Sequence, residues 1–567
     1  MSDTAKAMAA TTKAQIDTWV DDLTIGHVLS TVASRCPKRE ALVFPATGFR
    51  CTYAEYDRLV EQASRGLLSL GVRAGDHVAV WATNWPQWPV LQLASARIGA
   101  VLVTVNPAYR PQELAYVLRQ ADVRALFLID RFKTSDYFDM LRMACPELAE
   151  SEPGQLESGR FPELRWVVSF TDRPDVGMIT WEAMLRRGEE IEERLLQECS
   201  ESLLPSDPIN LQYTSGTTGF PKGALLSHRN LLLNAYHIGQ GLRLTGEDRV
   251  CVPVPFYHCF GCVLGTLGTL VARATMLVPG EYFEPAATLE CIERERATVI
   301  YGVPTMFIAQ LEDTTFPERD LSSLRTGIMA GSTCPVEVMN RVIDDMGARG
   351  ILVAYGLTEA SPGVTISEID DPVETRVETI GRPLPGVEVK VVDGEGNALP
   401  DGEQGELCTR GHNVMLGYYK MPEATAEAID EEGWLHTGDL AVRDESGFYR
   451  ITGRIKDMII RGGENVYPRE IEEILYTHPK IVEAQVVGVP DARLGEEICA
   501  WIKLQEGQSA TEDEIRDFCR QRLAHFKVPK HMMFVEEFPE TVTGKIQKFK
   551  MREEAIASLG LQPTKGA

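Results

Sequence analysis

The segment of this sequence best suited to chemistry is Tyr213-Thr-Ser-Gly-Thr-Thr-Gly-Phe-Pro-Lys-Gly223, which follows the apolar run INLQY. Gly216, Gly219 and Gly223 free the backbone to turn tightly. The hydroxyls of Thr214, Ser215, Thr217 and Thr218, together with neighbouring backbone amides, can then converge on phosphate oxygens, while Lys222 adds a positive charge. The spacing is not that of a Walker A loop, because Pro221 follows Gly216 by five positions and Lys222 is followed by Gly223 rather than Ser or Thr. A flexible Ser/Thr/Gly surface turn is the bland alternative, and it is the better reading for an arbitrary glycine-rich loop. Eleven specified positions in order favour a phosphate cradle.

Such a loop needs a sheet to hold it. From His77 onward, strand-like runs alternate with helical patterns: HVAVWA, a helix through Leu91 to Ile98, VLVTV, a helix from Gln112, and ALFLID. That alternation is the sequence form of βαβ units in a parallel sheet. It resumes in VCVPVP, TMLVP, TVIYGVP, TGIMAG and ILVAYG, which predicts a second sheet. Between Glu388 and Gly447 the runs become short and are broken by the turn dipeptides Asp393-Gly394 and Asp401-Gly402, which predicts a small antiparallel, barrel-like module. A charged stretch follows Arg454, then a compact βαβ-like tail containing VEAQVVGV, ICAWIKL and a helix near Thr511 to Leu523. The expected fold class is therefore α/β, with a large N-terminal domain (1–455) of two parallel-type sheets plus the small module, and a small α+β C-terminal domain (456–567).

Composition narrows the functions available. At 567 residues the chain exceeds one compact core, and 44% hydrophobic with 25% charged residues is ordinary globular composition. A formal net charge of −25, with no Lys/Arg-rich block, disfavours a nucleic-acid partner, so an anionic ligand needs a local cationic or amide site. Twelve scattered cysteines suggest a reducing compartment, and the close pair Cys259 and Cys262 reads as ordinary part-buried thiols. The N-terminus lacks a continuous apolar core, and the run from Val263 to Pro279 is interrupted by Arg273 and glycines. No transmembrane segment is predicted, and a soluble cytoplasmic protein is expected.

The 213–223 loop resembles the signature of the adenylate-forming superfamily of acyl-CoA synthetases, adenylation domains and luciferases. Further segments similar to that family follow in the same order: VPFYHCFG (254–261), MAGSTCP (329–335), YGLTEAS (355–361), HTGDLA (436–441), GRIKDMIIRGGENVYPREIE (453–472) and TVTGKIQK (541–548). The resemblance covers nearly the whole chain.

It implies roles position by position. Thr214, Ser215, Gly216, Thr217, Thr218, Gly219, Phe220, Pro221 and Lys222 would hold ATP phosphates. Asp439 would accept the ribose hydroxyls, and Arg454 would place a cation near ribose and phosphate. Glu359 would bind Mg²⁺, Thr358 would contact the adenylate phosphate, and Tyr355 with Gly356 would lie by the adenine. Gly331 and Ser332 would border adenine and acyl chain, and His258, Gly261, Gly302 and Gly331 would shape the acyl pocket. His258 is expected as a wall and gate; an ionised carboxylate has no proton for a base to remove. Lys545 would stabilise the charge that develops when a carboxylate attacks the α-phosphate. Lys456 occupies the hinge position, and Gly462 with Gly463 would line a tunnel for coenzyme A. Lys527 and Lys530 could meet coenzyme A phosphates or simply form a charged face.

The resemblance implies a fatty acyl-CoA ligase that uses ATP, Mg²⁺ and coenzyme A on a small-molecule carboxylic acid. The wording of ALVFPA near the start and NPAYRPQEL (106–114) is closest to medium-chain acyl-CoA ligases. An aryl-CoA ligase, a stand-alone adenylation enzyme loading a carrier protein, a luciferase-like oxidase and a catalytically silent nucleotide-binding regulator are the alternatives. The silent regulator would tolerate loss of Lys545 and Glu359, and both are present.

Overall fold

The computed structural model describes residues 18–214, 221–332, 334–462, 464–491, 493–540 and 546–561. The chain divides into two compact units. One runs to Glu388 and takes up Thr409–Leu435; the other comprises Val389–Cys408 and the chain from His436 onward.

The first unit holds both expected sheets. In the eight-stranded sheet, Pro208–Thr214, Val101–Thr104, His77–Trp81, Val123–Leu128, Trp166–Ser169 and Ile179–Thr180 run parallel in that order. Lys222–Ser227 and then Gly417–Tyr418 add antiparallel at the Pro208–Thr214 edge. The central strands are apolar without alternation; all five residues of His77–Trp81 are buried, as helices on both faces require.

The nine-stranded sheet has a parallel centre of Gly350–Gly356, Thr326–Ala330, Val299–Gly302, Arg249–Cys251, Thr275–Leu277 and Glu40–Phe44. Glu40–Phe44 joins from the far N-terminal side of the sequence, next to Thr275–Leu277, a pairing that no local pattern announces. On one face of this sheet, helices Pro285–Glu295, Pro304–Leu311 and Val336–Asp344 close a core that includes Ile292, Phe307, Met339 and Val342, all fully or almost fully buried. Burial of side chains this size contributes about 1.5–3 kcal/mol each. The run from Val263 to Pro279 is a buried helical segment and a strand, as its interrupted hydropathy predicts. No helix among the described residues is long and apolar enough to cross a membrane.

The small module is a four-stranded sheet in the order Val387–Val392, Gln404–Gly411, Leu435–Arg443, Tyr449–Arg454. In the tail, Ile481–Asp491 and Gly495–Leu504 form a long antiparallel hairpin, whereas helix Glu512–Arg520 connects the second of these strands to its parallel neighbour His531–Phe534. The βαβ texture thus belongs to the second half of the tail. The short connection between the two long strands dictates the hairpin, since parallel neighbours need a crossover of a dozen residues or more.

Candidate active site

The phosphate-type loop is bracketed by a cross-strand pair. Thr214 ends the strand Pro208–Thr214, Lys222 begins the returning strand, and the two are register partners. Thr214 Oγ1 donates to the Lys222 carbonyl at 3.4 Å, and Tyr116 Oη donates to the Pro221 carbonyl at 3.2 Å. Tyr213 Oη donates to Gln120 Oε1 just before the turn. Ser215, Gly216, Thr217, Thr218, Gly219 and Phe220 lie outside the described residues.

The strand after the loop ends in Ser227, which caps helix His228–Gly241. The Ser227 hydroxyl accepts from the Asn230 N–H, and Asn230 Oδ1 accepts in return from the Ser227 N–H. This helix serves as a ruler for two distant segments. Asn230 Nδ2 donates to the carbonyls of His412 and Val414, at 2.7 and 3.1 Å. One turn on, Asn234 grips Gly363 from both sides, accepting its N–H at 3.0 Å and donating to its carbonyl at 2.8 Å. The first contact fixes the approach to Tyr418, and the second fixes the exit from Thr358 and Glu359.

Glu359 sits in the short turn Thr358–Ala360, half-buried, and one carboxylate oxygen accepts from Tyr418 Oη at 2.8 Å. The Glu359 carbonyl accepts the Met415 N–H at 2.9 Å. Lys222 Nζ lies 5.1 Å from the centre of the Tyr418 ring, so the last cation of the loop and the acidic side chain meet the same aromatic residue. Burial, and then the Glu359 charge, push the Tyr418 phenol well above its ordinary value, so it remains a donor at any working pH. Sequence reasoning passed over Tyr418. The available signal was the Gly417-Tyr418-Tyr419 run at a sheet edge, but its partner is 59 residues away in sequence.

The other residues of this unit gather at carboxyl ends of adjacent parallel strands, where ligands of α/β sheets bind. Tyr355 and Gly356 close the strand Gly350–Gly356, Gly331 and Ser332 follow Thr326–Ala330, and Gly302 ends Val299–Gly302. His258 follows the next strand, Arg249–Cys251. It is exposed, and its Nδ1 accepts the Phe260 N–H at 3.2 Å, which leaves the ring proton on Nε2. Cys259 Sγ lies 3.6 Å from His258 Nδ1 and 3.7 Å from Thr358 Oγ1, linking the histidine turn to the threonine. Burial pushes this thiol up to about 12, which keeps it protonated.

The glycines differ in what they provide. A Cβ on Gly261 would stand 2.3 Å from the Pro255 carbonyl oxygen, and one on Gly356 would stand 2.0 Å from that of Pro362. Their bare Cα atoms are consumed by close backbone packing. Gly331 has φ +93°, and an added Cβ would meet Val303 Cγ1 at 3.1 Å. At Gly302 the neighbour is the buried Phe307 ring, at 2.9 Å.

In the second unit, Asp439 and Arg454 are register partners on antiparallel strands, and Arg454 Nε donates to Asp439 Oδ1 at 2.8 Å. Two residues missed by sequence reasoning hold the turn before Asp439. Glu406 accepts the Gly438 N–H on one oxygen at 2.9 Å and contacts His436 Nδ1 through the other at 2.8 Å. Thr437 Oγ1 completes the clamp by donating to the Leu407 carbonyl at 2.7 Å.

Lys456 lies in the turn Ile455–Asp457, and its ammonium is held below its ordinary value by desolvation first and by the Arg454 charge second. Gly462 is exposed at φ +61°, with its N–H donating to the Leu494 carbonyl at 2.8 Å. Gly463 and Lys545 lie outside the described residues; the chain on either side of Lys545 is closed by a Glu540–Ile546 bridge. Lys527 is paired with Glu470 at 2.6 Å and Lys530 with Asp491 at 2.9 Å.

The chain is similar to known proteins along most of its length. Residues 29–419 match the model of the AMP-binding enzyme family, and residues 470–545 match that of the AMP-binding enzyme C-terminal domain. YngI of Bacillus subtilis (strain 168), which carries the name acyl-CoA synthetase, is 50% identical over 539 residues, covering 95% of this chain and 98% of YngI. The mitochondrial medium-chain acyl-CoA ligase ACSF2 of Bos taurus is 44% identical over 543 residues, covering 95% and 88%. Among solved structures, the anthranilate CoA ligase AuaEII in complex with anthranoyl-AMP superposes with a TM-score of 0.84 at 28% identity, covering 95% of this chain and 99% of that one.

Proposed function

Because the chain belongs to the AMP-binding enzyme family, we propose that it joins a fatty acid to coenzyme A at the expense of ATP. A carboxylate oxygen attacks the α-phosphate, forming acyl-AMP and releasing pyrophosphate. The coenzyme A thiolate then attacks the acyl carbonyl, and AMP leaves. The observation that carries this reading is the meeting of Lys222 and Glu359 on Tyr418, one side chain apart, as a carboxylate for Mg²⁺ beside a phosphate-type loop requires.

The residues of the chain divide the work. Thr214 and Lys222, cross-strand partners on either side of residues 215–220, anchor the phosphate-binding segment, and Thr358 stands by for the adenylate phosphate. Mg²⁺ fits Glu359, since that ion takes one or two protein carboxylates and completes its shell with phosphate oxygens and water. When bound, it neutralises charge on the triphosphate. Asp439 accepts the ribose hydroxyls and Arg454 neutralises Asp439 until they arrive. Tyr355 offers a flat, half-buried face to adenine from the end of its strand. Lys545 supplies the ammonium for the first half-reaction. Lys456 is the hinge position near the expected boundary at 455, and Gly462 with Gly463 admits the pantetheine arm. His258, Gly302 and Gly331 border the acyl chain, with Gly261 shaping the turn behind His258. Similarity to ACSF2 supports a medium-chain substrate. Twelve dispersed cysteines support a reducing, cytoplasmic setting.

The test is purified protein with ATP, Mg²⁺ and a ladder of straight-chain and aromatic carboxylic acids, scored for AMP with and without coenzyme A. The proposal expects coenzyme-A-dependent AMP release that peaks with medium-chain fatty acids. Pyrophosphate exchange with no coenzyme-A-dependent turnover would replace it with a carrier-loading enzyme.

A further inference from the structure

We propose that Tyr418 is a positioning residue for the metal-binding carboxylate, locking Glu359 to the end of the phosphate-type loop. This inference rests on the acyl-adenylating reading of the same site.

The argument begins with the backbone. Tyr418 belongs to the two-residue strand Gly417–Tyr418, which pairs antiparallel with Lys222–Ser227, so that Tyr418 faces Ala224. Three backbone bonds flank that pairing. The Leu416 N–H donates to Leu225, the Tyr419 N–H to Gly223, and the Met415 N–H to the Glu359 carbonyl, each at 2.9 Å. Asn230, in the first turn of the following helix, fixes His412 and Val414 just upstream. The Tyr418 ring is therefore set by pairing with the strand Lys222–Ser227, and its hydroxyl reaches Glu359 directly.

A carboxylate has two oxygens, and a single donor on one of them fixes the plane of the group while leaving the second as a ligand. Metal-bound carboxylates gain affinity from such outer partners, because the ion then meets a ligand that has no rotamer to search for. Lys222, whose Nζ lies 5.1 Å from the ring centre, adds a second contact that joins the loop end to the ring carrying the hydroxyl. Tyr418 thereby links phosphate binding to carboxylate orientation through packing and one hydrogen bond.

Tyr418→Phe deletes the hydroxyl and keeps the ring under Lys222. The decisive measurement is ATP binding to the full chain by calorimetry across a Mg²⁺ titration, with thermal melting alongside. The half-saturating Mg²⁺ concentration is expected to rise about tenfold or more in Tyr418→Phe, the usual cost of losing an outer partner. ATP binding without Mg²⁺ is expected to be unchanged. In a Glu359→Gln background the same substitution should add nothing, because the group it positions no longer binds the ion. Superimposable Mg²⁺ curves for wild type and Tyr418→Phe, or an equal further loss in the Glu359→Gln background, would overturn the positioning role and leave the adenylating reading intact. A wild-type protein that shows no Mg²⁺-dependent ATP binding and forms no AMP with any carboxylic acid would overturn both.

Discussion

Asp439 and Arg454 stand directly opposite each other across an antiparallel strand pair, with Arg454 Nε 2.8 Å from Asp439 Oδ1 and the aspartate side chain 7% exposed. The carboxylate assigned to the ribose is thus already neutralised by its cross-strand partner. Removing the guanidinium would take the cation 2.8 Å away from a buried carboxylate, whereas removing the aspartate charge would cost mainly ligand bonds.

Asp439→Asn should therefore fold and bind ATP poorly. Losing charge-assisted bonds to the ribose costs about 1.5–3 kcal/mol, or roughly 10- to 100-fold in KM for ATP. Arg454→Ala should add a drop in Tm that Asp439→Asn lacks. Steady-state kinetics paired with calorimetry separates the two, and equal melting of both variants would contradict the buried-charge argument.

Lys545→Ala should lose adenylation by about 100-fold or more, the range observed when a preorganised electrostatic donor is removed. Transfer of supplied acyl-AMP to coenzyme A should persist, because that step needs no ammonium at the α-phosphate. Separate assays of the two half-reactions check this. Normal formation of acyl-AMP from ATP would withdraw the role given to Lys545.

The two acyl-side glycines should respond differently to alanine. Gly261→Ala places a methyl 2.3 Å from a backbone oxygen, so the turn carrying His258 must move. The expected cost is about 1–3 kcal/mol, with loss of activity on acids of every length. Gly302→Ala meets first a side-chain ring, that of Phe307 at 2.9 Å, and should chiefly shift chain-length preference toward shorter acids. Melting curves and the carboxylic-acid ladder report the two effects.

Acid should weaken the first unit through its buried histidines. Burial holds His237 and His412 down at about 4, and the two rings lie 5.3 Å apart. Unfolded histidines titrate near 6.5, so between about 6.5 and 4 the unfolded chain binds the extra protons and stability falls with pH. Above that window the contribution is fully present. Tm measured from pH 8 to pH 4 should decline through it, and His237→Gln with His412→Gln should flatten the slope even if it lowers Tm at pH 8.

Much of this was written locally in the sequence. The alternation of apolar runs with helical patterns announces both parallel sheets, because that signal depends on neighbours within a few residues. The resemblance singles out Asp439 and Arg454, and the fold sets them opposite each other on neighbouring strands. Tertiary structure alone decided which distant segments meet. Glu40–Phe44 inserts beside Thr275–Leu277, Asn230 and Asn234 on one helix clamp stretches more than a hundred residues away, and Tyr418 reaches back to Glu359. Such contacts leave no periodicity behind. Side-chain spacing along the chain reports the face of an element, whereas the choice of partner is set by how whole sheets and helices pack and by which buried polar groups must then be satisfied.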